Sequence, residues 1–538
     1  MRRRLDVKGS SRHACAVTRQ PTDTPATDAP ELGHAERAGP LATRLKIGFR
    51  NVSWAGAARM AVLLVVCLAA AAPFFPGLMI PDTIDMCNQA VTGLYTTWHS
   101  PIFAGVWGFA HLGPEVLFSV QVLAFVTVIY VLLARWLRPW VAVVCTVVVV
   151  FVPTTVGWLA HIGKDEWGAI ALLWAIALLA RVADAHGRNR TIVLVAACAF
   201  LWIATAARHD YIISAAVVLL FAGPLSEVNG HTRRTRGLAV LTRVGLVAVF
   251  VVFTLLSQRL WIDNVVRPTT LYPQQATFQY DLTSLSIRSG RILLPASSLQ
   301  PGTTLDDLRS HFTVHGGAGY GLFFSKDEPI RYVATAAAED ELQSAWLDAV
   351  KKYPGQYLSF RLSFAMSMLG VSGRYPLGAM FDTGSRPADW GLRCPLNDRY
   401  FPALFDRASG ILTTVDSWPI WRMWWFGVVF VAAAALVGLR RSAEVRMLLA
   451  VSVAQLVTFA IFAVGIGWRY MWFVAVATVV TLALVLSRIP LLARRGRETK
   501  VSDDSEVPLA RAAANDAGGA ERDDVLEAPA AASRRQSE

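Results

Sequence analysis

Residues 191–222 read TIVLVAACAFLWIATAARHDYIISAAVVLLFA, an apolar run broken once, by Arg208, His209 and Asp210. Uninterrupted apolar stretches of this kind are membrane helices, and a polar triplet inside one marks the point where the chain leaves the hydrocarbon and returns. The pattern repeats in both directions. Lys164, Asp165 and Glu166 open another apolar run, and Arg469 opens the last one. Ten spans are expected, at 57–78, 113–134, 139–160, 167–183, 191–207, 210–224, 237–256, 417–438, 445–466 and 469–487. Most reach the roughly 20 residues that a ~30 Å hydrocarbon core demands. The expected fold class is an all-α polytopic membrane protein of about 10 transmembrane helices with a mixed extracytoplasmic insert.

Composition agrees with this reading. Of 538 residues, 54% are hydrophobic and only 17% charged, which is too apolar for an ordinary soluble domain. The net charge of +12 raises the question of nucleic acid, but its distribution answers it. Arg135 and Arg138 follow the second span, Arg181, Arg188 and Arg190 the fourth, and Arg233, Arg234, Arg236 and Arg243 the sixth. Arg440, Arg441 and Arg446 follow the eighth, and Arg488, Arg494, Arg495, Arg497 and Lys500 the tenth. Basic clusters in every second connection are the signature of cytoplasmic loops. Both termini are then expected inside, and no nucleic-acid partner is implied. The loop 79–112 has neither Lys nor Arg, as an outside loop should.

The domain expectation follows. Residues 1–56 and 488–538 are polar cytoplasmic tails without apolar periodicity and are expected to be disordered. Residues 57–256 hold spans one to seven, with an acidic first outer loop at 79–112. Residues 257–416 form an extracytoplasmic domain or long loop, and 417–487 hold spans eight to ten. The first apolar run follows more than fifty polar residues, so it is expected to be a span rather than a signal peptide. Met86–Tyr95 is expected to form an interfacial helix and Ala334–Lys352 a helix in the outer segment, with a turn-rich stretch at 315–320. Gln356–Ser372 is apolar apart from Arg361 and reads as an interfacial or re-entrant helix; as a span it would invert all that follows. Of six cysteines, Cys67, Cys145 and Cys198 lie within spans and Cys15 in the N-terminal tail. Cys87 and Cys394 both fall outside, where a disulfide is permitted.

Apart from the basic clusters at the cytoplasmic ends, the charges that interrupt the spans fall at the same, outer end of their helices. Ionisable groups at membrane depth are costly and mark functional positions. The first outer loop runs Pro81-Asp82-Thr83-Ile84-Asp85-Met86-Cys87-Asn88-Gln89, then Trp98-His99-Ser100-Pro101. A carboxylate just past a span can take a proton from an acceptor hydroxyl; alternatively, Asp82 or Asp85 caps the helix that follows. Asp85 and Gln89, four apart, share a helix face. Asp165 and Glu166 suit a helix N-terminus, whereas Lys164 is disfavoured there unless an anion is near. Arg208 can pair with Asp210, and Arg469 beside Tyr470 can be an interface anchor. Together, Lys164, Arg208 and Arg469 would suit a lipid-linked phosphate.

This arrangement resembles the GT-C superfamily of polytopic glycosyltransferases, such as the protein O-mannosyltransferases and lipid A aminoarabinose transferases. The resemblance covers roughly 57–487. It rests on Asp85-x-x-x-Gln89, Trp98-x-x-Pro101, Lys164-Asp165 opening span four, Arg208 after span five, the large outer segment, and Arg469-Tyr470. The family's acidic motif is often Asp-Glu; here the acids are Asp82 and Asp85, which leaves the base open between them. No Trp-Trp-Asp signature is present. The resemblance implies transfer of a sugar from a polyprenyl-phosphate donor to an extracytoplasmic acceptor, a cell-envelope glycan, lipid or protein, with inversion. Asp85 or Asp82 would be the base. Lys164, Arg208 and Arg469 would bind the donor phosphate, and Gln89, His99, Asp165, Glu166, His209 and Tyr470 the substrates. No particular cofactor and no metal ligand is identified, and a divalent metal stays open. The alternatives are a lipid-linked-sugar flippase or transporter and a non-enzymatic envelope-assembly protein. The Arg- and Ala-rich composition points to a GC-rich bacterium and its cytoplasmic membrane.

Overall fold

The computed structural model describes residues 54–182, 184–222, 233–314, 320–323, 327–372, 400–416, 418–438, 442–465 and 467–494. Of these, 77% are helical and none lies in a β-strand. The helices of the first half are α1 (Trp54–Ala71), α2 (Pro81–Thr92), α3 (Pro101–Ala110), α4 (Pro114–Leu133), α5 (Pro139–Phe151), α6 (Pro153–Leu159), α7 (Lys164–Val182), α8 (Gly187–Ala207), α9 (Tyr211–Phe221) and α10 (Arg233–Trp261). Those of the second half are α11 (Gln275–Ser289), α12 (Leu305–His311), α13 (Tyr320–Phe323), α14 (Ala336–Lys352), α15 (Pro354–Met368), α16 (Pro402–Asp416), α17 (Met423–Val437), α18 (Ala443–Phe462) and α19 (Trp468–Val485).

Every expected span contains helix, but the count of ten is not met by length and apolarity. Among the described residues six helices qualify to cross a membrane: Trp54–Phe74, Pro114–Leu133, Gly187–Ala207, Val240–Val266, Ala443–Phe462 and Arg469–Arg488. A seventh is counted if α5 and α6 are one span, yet they are bent by 71°. The cause is Pro153. Its ring lacks an amide hydrogen and pushes the preceding residue, Val152, into an extended conformation (ψ 128°), so the helix stops and restarts. The remaining three are α7, charged in its first turn, and the short α9 and α17, of 11 and 15 residues. The chain thus has the make-up of a multi-pass membrane protein.

Burial sorts these helices. In α19 the run Met471–Ala477 is wholly buried, and α7 is buried along most of its length. α7 packs against α4, α8, α9, α18 and α19, and α19 against α4, α5, α6, α17 and α18. By contrast α10 presents Val244, Val249, Phe253 and Leu260 outward, and α1 presents Leu64, Val65 and Leu68. Exposed apolar rows on long helices are what a lipid-facing surface requires.

One expectation about loops is corrected. The helix in 79–112 is α2, which starts at Pro81 rather than Met86. Proline suits the first helical position, and Gly93 (φ 70°) ends the helix in the left-handed region, donating its amide to Gln89 O. The same loop holds an unforeseen second helix, α3, capped by Ser100, whose hydroxyl accepts from the Phe103 amide at 3.2 Å. The segment 257–416 carries helices joined by non-helical connections such as 268–274 and 327–335, with no strand among its described residues; its turn-rich 315–319 lies outside the described residues. The expected helix at Ala334–Lys352 is α14. The ambiguous Gln356–Ser372 is α15, of 15 residues, with Arg361 buried against its neighbours. At 1.5 Å per residue it is about 22 Å long, short of a hydrocarbon core.

Candidate functional site

One end of the bundle gathers the charged residues, and backbone pairing puts them there. After α1 the chain reaches Leu78, whose amide donates to Ala160 O at 2.8 Å and whose carbonyl accepts from the Ile162 amide at 2.9 Å. Gly77 makes this approach possible. Its φ is +108°, and a Cβ there would stand 2.6 Å from Ile162 Cγ1, so no other residue fits without displacement. Thr83 Oγ1 then donates to Ile162 O at 2.5 Å. These bonds set the first turn of α2 beside the first turn of α7. Ser100 Oγ donates to Ala206 O, tying the His99 loop to the end of α8. Thr97 donates through its amide to Thr269 O at 3.1 Å and through Oγ1 to Leu271 O at 2.5 Å, which anchors the loop to the segment after α10.

Four chain regions now contribute to one network. Arg469 Nη1 donates to Asp82 Oδ2 at 2.8 Å and Nη2 to Tyr470 Oη at 2.9 Å, and its Nε lies 3.8 Å from Asp165 Oδ2. Lys164 Nζ is 3.5 Å from the same Asp82 oxygen and 2.7 Å from His99 Nδ1. Arg208 grips Asp210 with two parallel bonds of 2.8 and 2.9 Å, and its Nη1 meets Asp165 Oδ1. The Arg208 guanidinium also lies over the rings of Phe459 and Tyr470, 5.1 and 5.2 Å from their centroids. Its pairing with Asp210, one alternative raised by the sequence, is therefore present, and a further carboxylate joins it.

Asp85 stands apart from the arginines. Its Oδ2 accepts from Gln89 Nε2 at 2.7 Å and faces His99 Nε2 at 3.6 Å. Gln89 is fixed in turn: its Nε2 reaches Thr96 Oγ1 at 3.1 Å and its Oε1 accepts the Thr96 amide at 3.0 Å. The i, i+4 relation read from the sequence is thus a real contact. Helix capping by Asp82 or Asp85 is overturned, because the N-cap of α2 is Ile80 and no side chain caps it.

The two acids differ electrostatically. Burial opposes the charge on Asp82, but Arg469 and Lys164 together outweigh it and hold the carboxyl well below its usual range. Burial pushes Asp85 up; the Gln89 amide opposes this and the nearby Asp82 charge adds to it. Burial and then the Lys164 charge push His99 down to about 3. A neutral His99 accepting from Lys164 at Nδ1 carries its proton on Nε2, the edge that faces Asp85.

A cavity of about 460 Å³ opens beside this network. His99, Lys164, Arg208, His209, Asp210 and Tyr470 supply its ionisable lining, and Trp98, Ile213, Pro273, Phe459, Phe462 and Val464 much of its apolar wall. Of the sequence-derived candidates, His99, Lys164, Arg208, His209 and Tyr470 line it. Asp82, Asp85, Gln89, Asp165, Glu166 and Arg469 do not. Asp165 is 3% exposed and holds arginines, so its place is behind the wall. Glu166 is 1% exposed and turned toward Gly163, where a Cβ would come within 2.0 Å of its Oε2. Beyond its own amide, neither carboxylate oxygen finds a partner among the described residues.

The sequence did not single out Phe459, Phe462 or Trp98 as wall residues, nor Tyr332, whose ring meets Trp98 edge-on at 4.7 Å. Apolar residues near a span end carry no sign of which cavity they face. Cys87, on α2 beside this network, is disulfide-bonded. Cys394, the partner considered from the sequence, lies outside the described residues. Among the described residues no group of three or more His, Cys, Asp and Glu side chains is arranged to hold a metal ion. No protein-family model, curated protein or solved structure matches this chain.

Proposed function

We propose that the protein is an integral membrane glycosyltransferase that moves a sugar from a polyprenyl-phosphate donor to an extracytoplasmic hydroxyl. On this reading all ten helical segments sit in the bilayer, both termini are cytoplasmic, the membrane is the bacterial cytoplasmic one, and the cavity opens outward. The single observation that carries it is the pairing of a cation-lined cavity with a carboxylate held outside the ion pairs. Lys164 and Arg208 line the cavity, while Asp85 keeps a raised affinity for a proton.

The chemistry is one displacement. The acceptor hydroxyl enters beside His99, which lines the cavity and faces the partly exposed Asp85 at 3.6 Å. Asp85 takes its proton as the hydroxyl oxygen bonds to the sugar anomeric carbon; the bond from that carbon to the phosphate oxygen breaks, and the electron pair leaves with polyprenyl phosphate. Lys164 and Arg208 take up the charge on the departing phosphate. Both are already paired, Arg208 with two carboxylates and Lys164 with Asp82 at a loose 3.5 Å. Arg208 nonetheless keeps two of its five N–H donors beyond its three carboxylate bonds. Arg469, outside the lining, is a positioning residue that fixes Asp82 and Asp165.

The direct test uses purified protein in lipid nanodiscs with a panel of polyprenyl-phosphate sugars and simple alcohol acceptors. Release of polyprenyl phosphate that is lost in Asp85→Asn supports the reading. Absence of release across the panel, together with unaltered donor binding in Lys164→Ala and Arg208→Ala, would sink it. A flippase or transporter is the second reading, favoured by the 71° break between α5 and α6, since discontinuous helices line translocation paths. It would move lipid-linked sugar across a vesicle membrane without freeing polyprenyl phosphate.

A further inference from the structure

The other end of the bundle carries a second concentration of charge. α7 is 19 residues long, so its last turn is about 28 Å from Lys164, close to one hydrocarbon thickness. Arg135, in the turn after α4, is the hub at that end. Its Nε is 3.1 Å from Glu444 Oε1, its Nη2 is 3.0 Å from Asp184 Oδ2, and its Nη1 donates to Ala180 O. Glu444 is 2% exposed and also accepts from Trp136 Nε1 at 3.2 Å. Both carboxylates are engaged by this one arginine.

Two further guanidiniums stand beside it. Arg181 donates to Val131 O at 3.4 Å and Arg494 to Ala134 O at 2.9 Å. The charges of Arg135 and Arg494 both oppose that of Arg181, and the carboxylates of Asp184 and Glu444, already engaged by Arg135, offset them by less. Arg181 and Arg494 are exposed, and neither forms an ion pair among the described residues. Arg494 does not arrive by chance of a loose tail. After α19 the chain doubles back, Arg138 donating its amide to Leu492 O at 3.0 Å and Arg494 its amide to Trp136 O at 3.0 Å. The doubling back thus sets a third like charge beside two others, an arrangement that an anion would relieve. Apolar side chains flank the same turn: Trp140 is 46% exposed, Ile489 44% and Leu491 73%.

We propose that Arg181 and Arg494, with Arg135 behind them, form a binding site for the phosphate of an anionic phospholipid, on the membrane face opposite the cavity. Guanidiniums grip phosphate bidentately. The exposed Trp140, Ile489 and Leu491 give the acyl chains an apolar seat, which a soluble phosphate would leave unused. The site also lies on the side where the basic clusters place the cytoplasm, whose leaflet is anionic.

Detergent-purified protein would be titrated with phosphatidylglycerol, phosphatidylcholine and inorganic phosphate, with bound lipid counted by native mass spectrometry and thermal unfolding followed in parallel. Phosphatidylglycerol is expected to bind and raise the unfolding midpoint, while the other two do neither. In R181Q/R494Q phosphatidylglycerol binding should weaken ~30-fold, about fivefold per arginine, with R181K/R494K in between. R181Q alone serves if the double variant does not purify. Equal binding of phosphatidylcholine, undiminished phosphatidylglycerol binding in the glutamine variants, or a full shift with inorganic phosphate alone would each overturn the lipid site.

Discussion

Asp82 and Asp85 stand one turn apart on α2, and their surroundings pull them in opposite directions. Asp82 is held by Arg469 at 2.8 Å and Lys164 at 3.5 Å, a partnership that makes it a poor base. Asp85 meets only neutral donors, Gln89 and His99. Asp85→Asn is therefore expected to lower turnover by about 10²- to 10⁴-fold, the range for a general base, with donor binding kept. The pH profile carries the sign. A base must be ionised, so the rate should fall as pH drops through a value above the ordinary carboxylate range, because the Asp85 carboxyl is pushed up. A rate limb at or below the ordinary range would move the proton transfer elsewhere. Asp82→Asn should act differently. It leaves Lys164 and Arg469 without their shared carboxylate and costs about 1.5–3 kcal/mol of stability, measured by thermal or denaturant unfolding. Since the folded Asp82 carboxyl lies below its unfolded value, that contribution is present above the usual carboxylate range and lost only in stronger acid. The gathering of Lys164, Arg208 and Arg469 was legible in the sequence, because cations are scarce on the side that the basic loops leave bare. Of their carboxylate partners only Asp210, two residues from Arg208, was. Arg469 and Asp82 are 387 residues apart, and no local pattern announces such a contact.

Among the elements, α15 shows where reading by hydropathy stops. Arg361 looked like a single blemish in an apolar segment, and Asp281 sat unremarked in a polar one. Folded, Arg361 Nη2 is 2.5 Å from Asp281 Oδ1, and Nη1 donates to Ala463 O at 2.8 Å. Trp346 Nε1 donates to Asp281 Oδ2 at 2.9 Å, and Thr277 Oγ1 to Phe462 O at 2.9 Å. So α11 and α15 hold the carbonyls that end α18, in the wall of the cavity. Asp281 is fully buried and its carboxyl is pushed to about 6, chiefly by burial, with Arg361 opposing. Arg361→Met should destabilise the protein by about 3–5 kcal/mol, because it strands a buried charge. Asp281→Leu with Arg361→Met should recover most of that loss. The sign with pH is again defined. Without Arg361 the folded Asp281 binds its proton more tightly still, so the deficit is full at pH values above that raised pKa and shrinks as pH falls below it. Unfolding of Arg361→Met at pH 7.5 and pH 5 measures this, and a deficit that grows in acid would refute it. The helices themselves were legible, since apolar runs declare themselves. The break at Pro153 and the 15-residue α15 were harder, because composition gives a helix's lipid preference but not its path.

At the scale of the whole molecule, two charged clusters sit at opposite ends of one buried helix, α7. The cluster near Lys164 is internally paired, with cations and carboxylates in mutual contact. The cluster near Arg181 has more arginine than acid. On the proposed topology a bilayer accounts for the asymmetry: basic excess is retained on the cytoplasmic side, and charges on the other side persist where they are neutralised by structure. The orientation has a direct test. Ser310, in α12 of the outer segment, and Asn189, at the start of α8 near Arg181, are both exposed. Cysteines introduced at these positions, scored against the unsubstituted chain so that labelling of its own cysteines is subtracted, would be probed with a membrane-impermeant maleimide; Cys67 and Cys145 are buried and Cys198 half-buried. Ser310→Cys is expected to label in intact cells and Asn189→Cys only after permeabilisation. The opposite result would invert the molecule and face the cavity cytoplasm-ward, where the acceptor of a cell-envelope glycosyltransferase is not found. Labelling of both in intact cells would mean that α8 and the outer segment share a side. The intervening run would then cross the membrane an even number of times, against the three crossings that α8, α9 and α10 make when each is a span. The number of crossings between residues 189 and 310 thus decides whether the 11-residue α9 traverses the bilayer or only enters it.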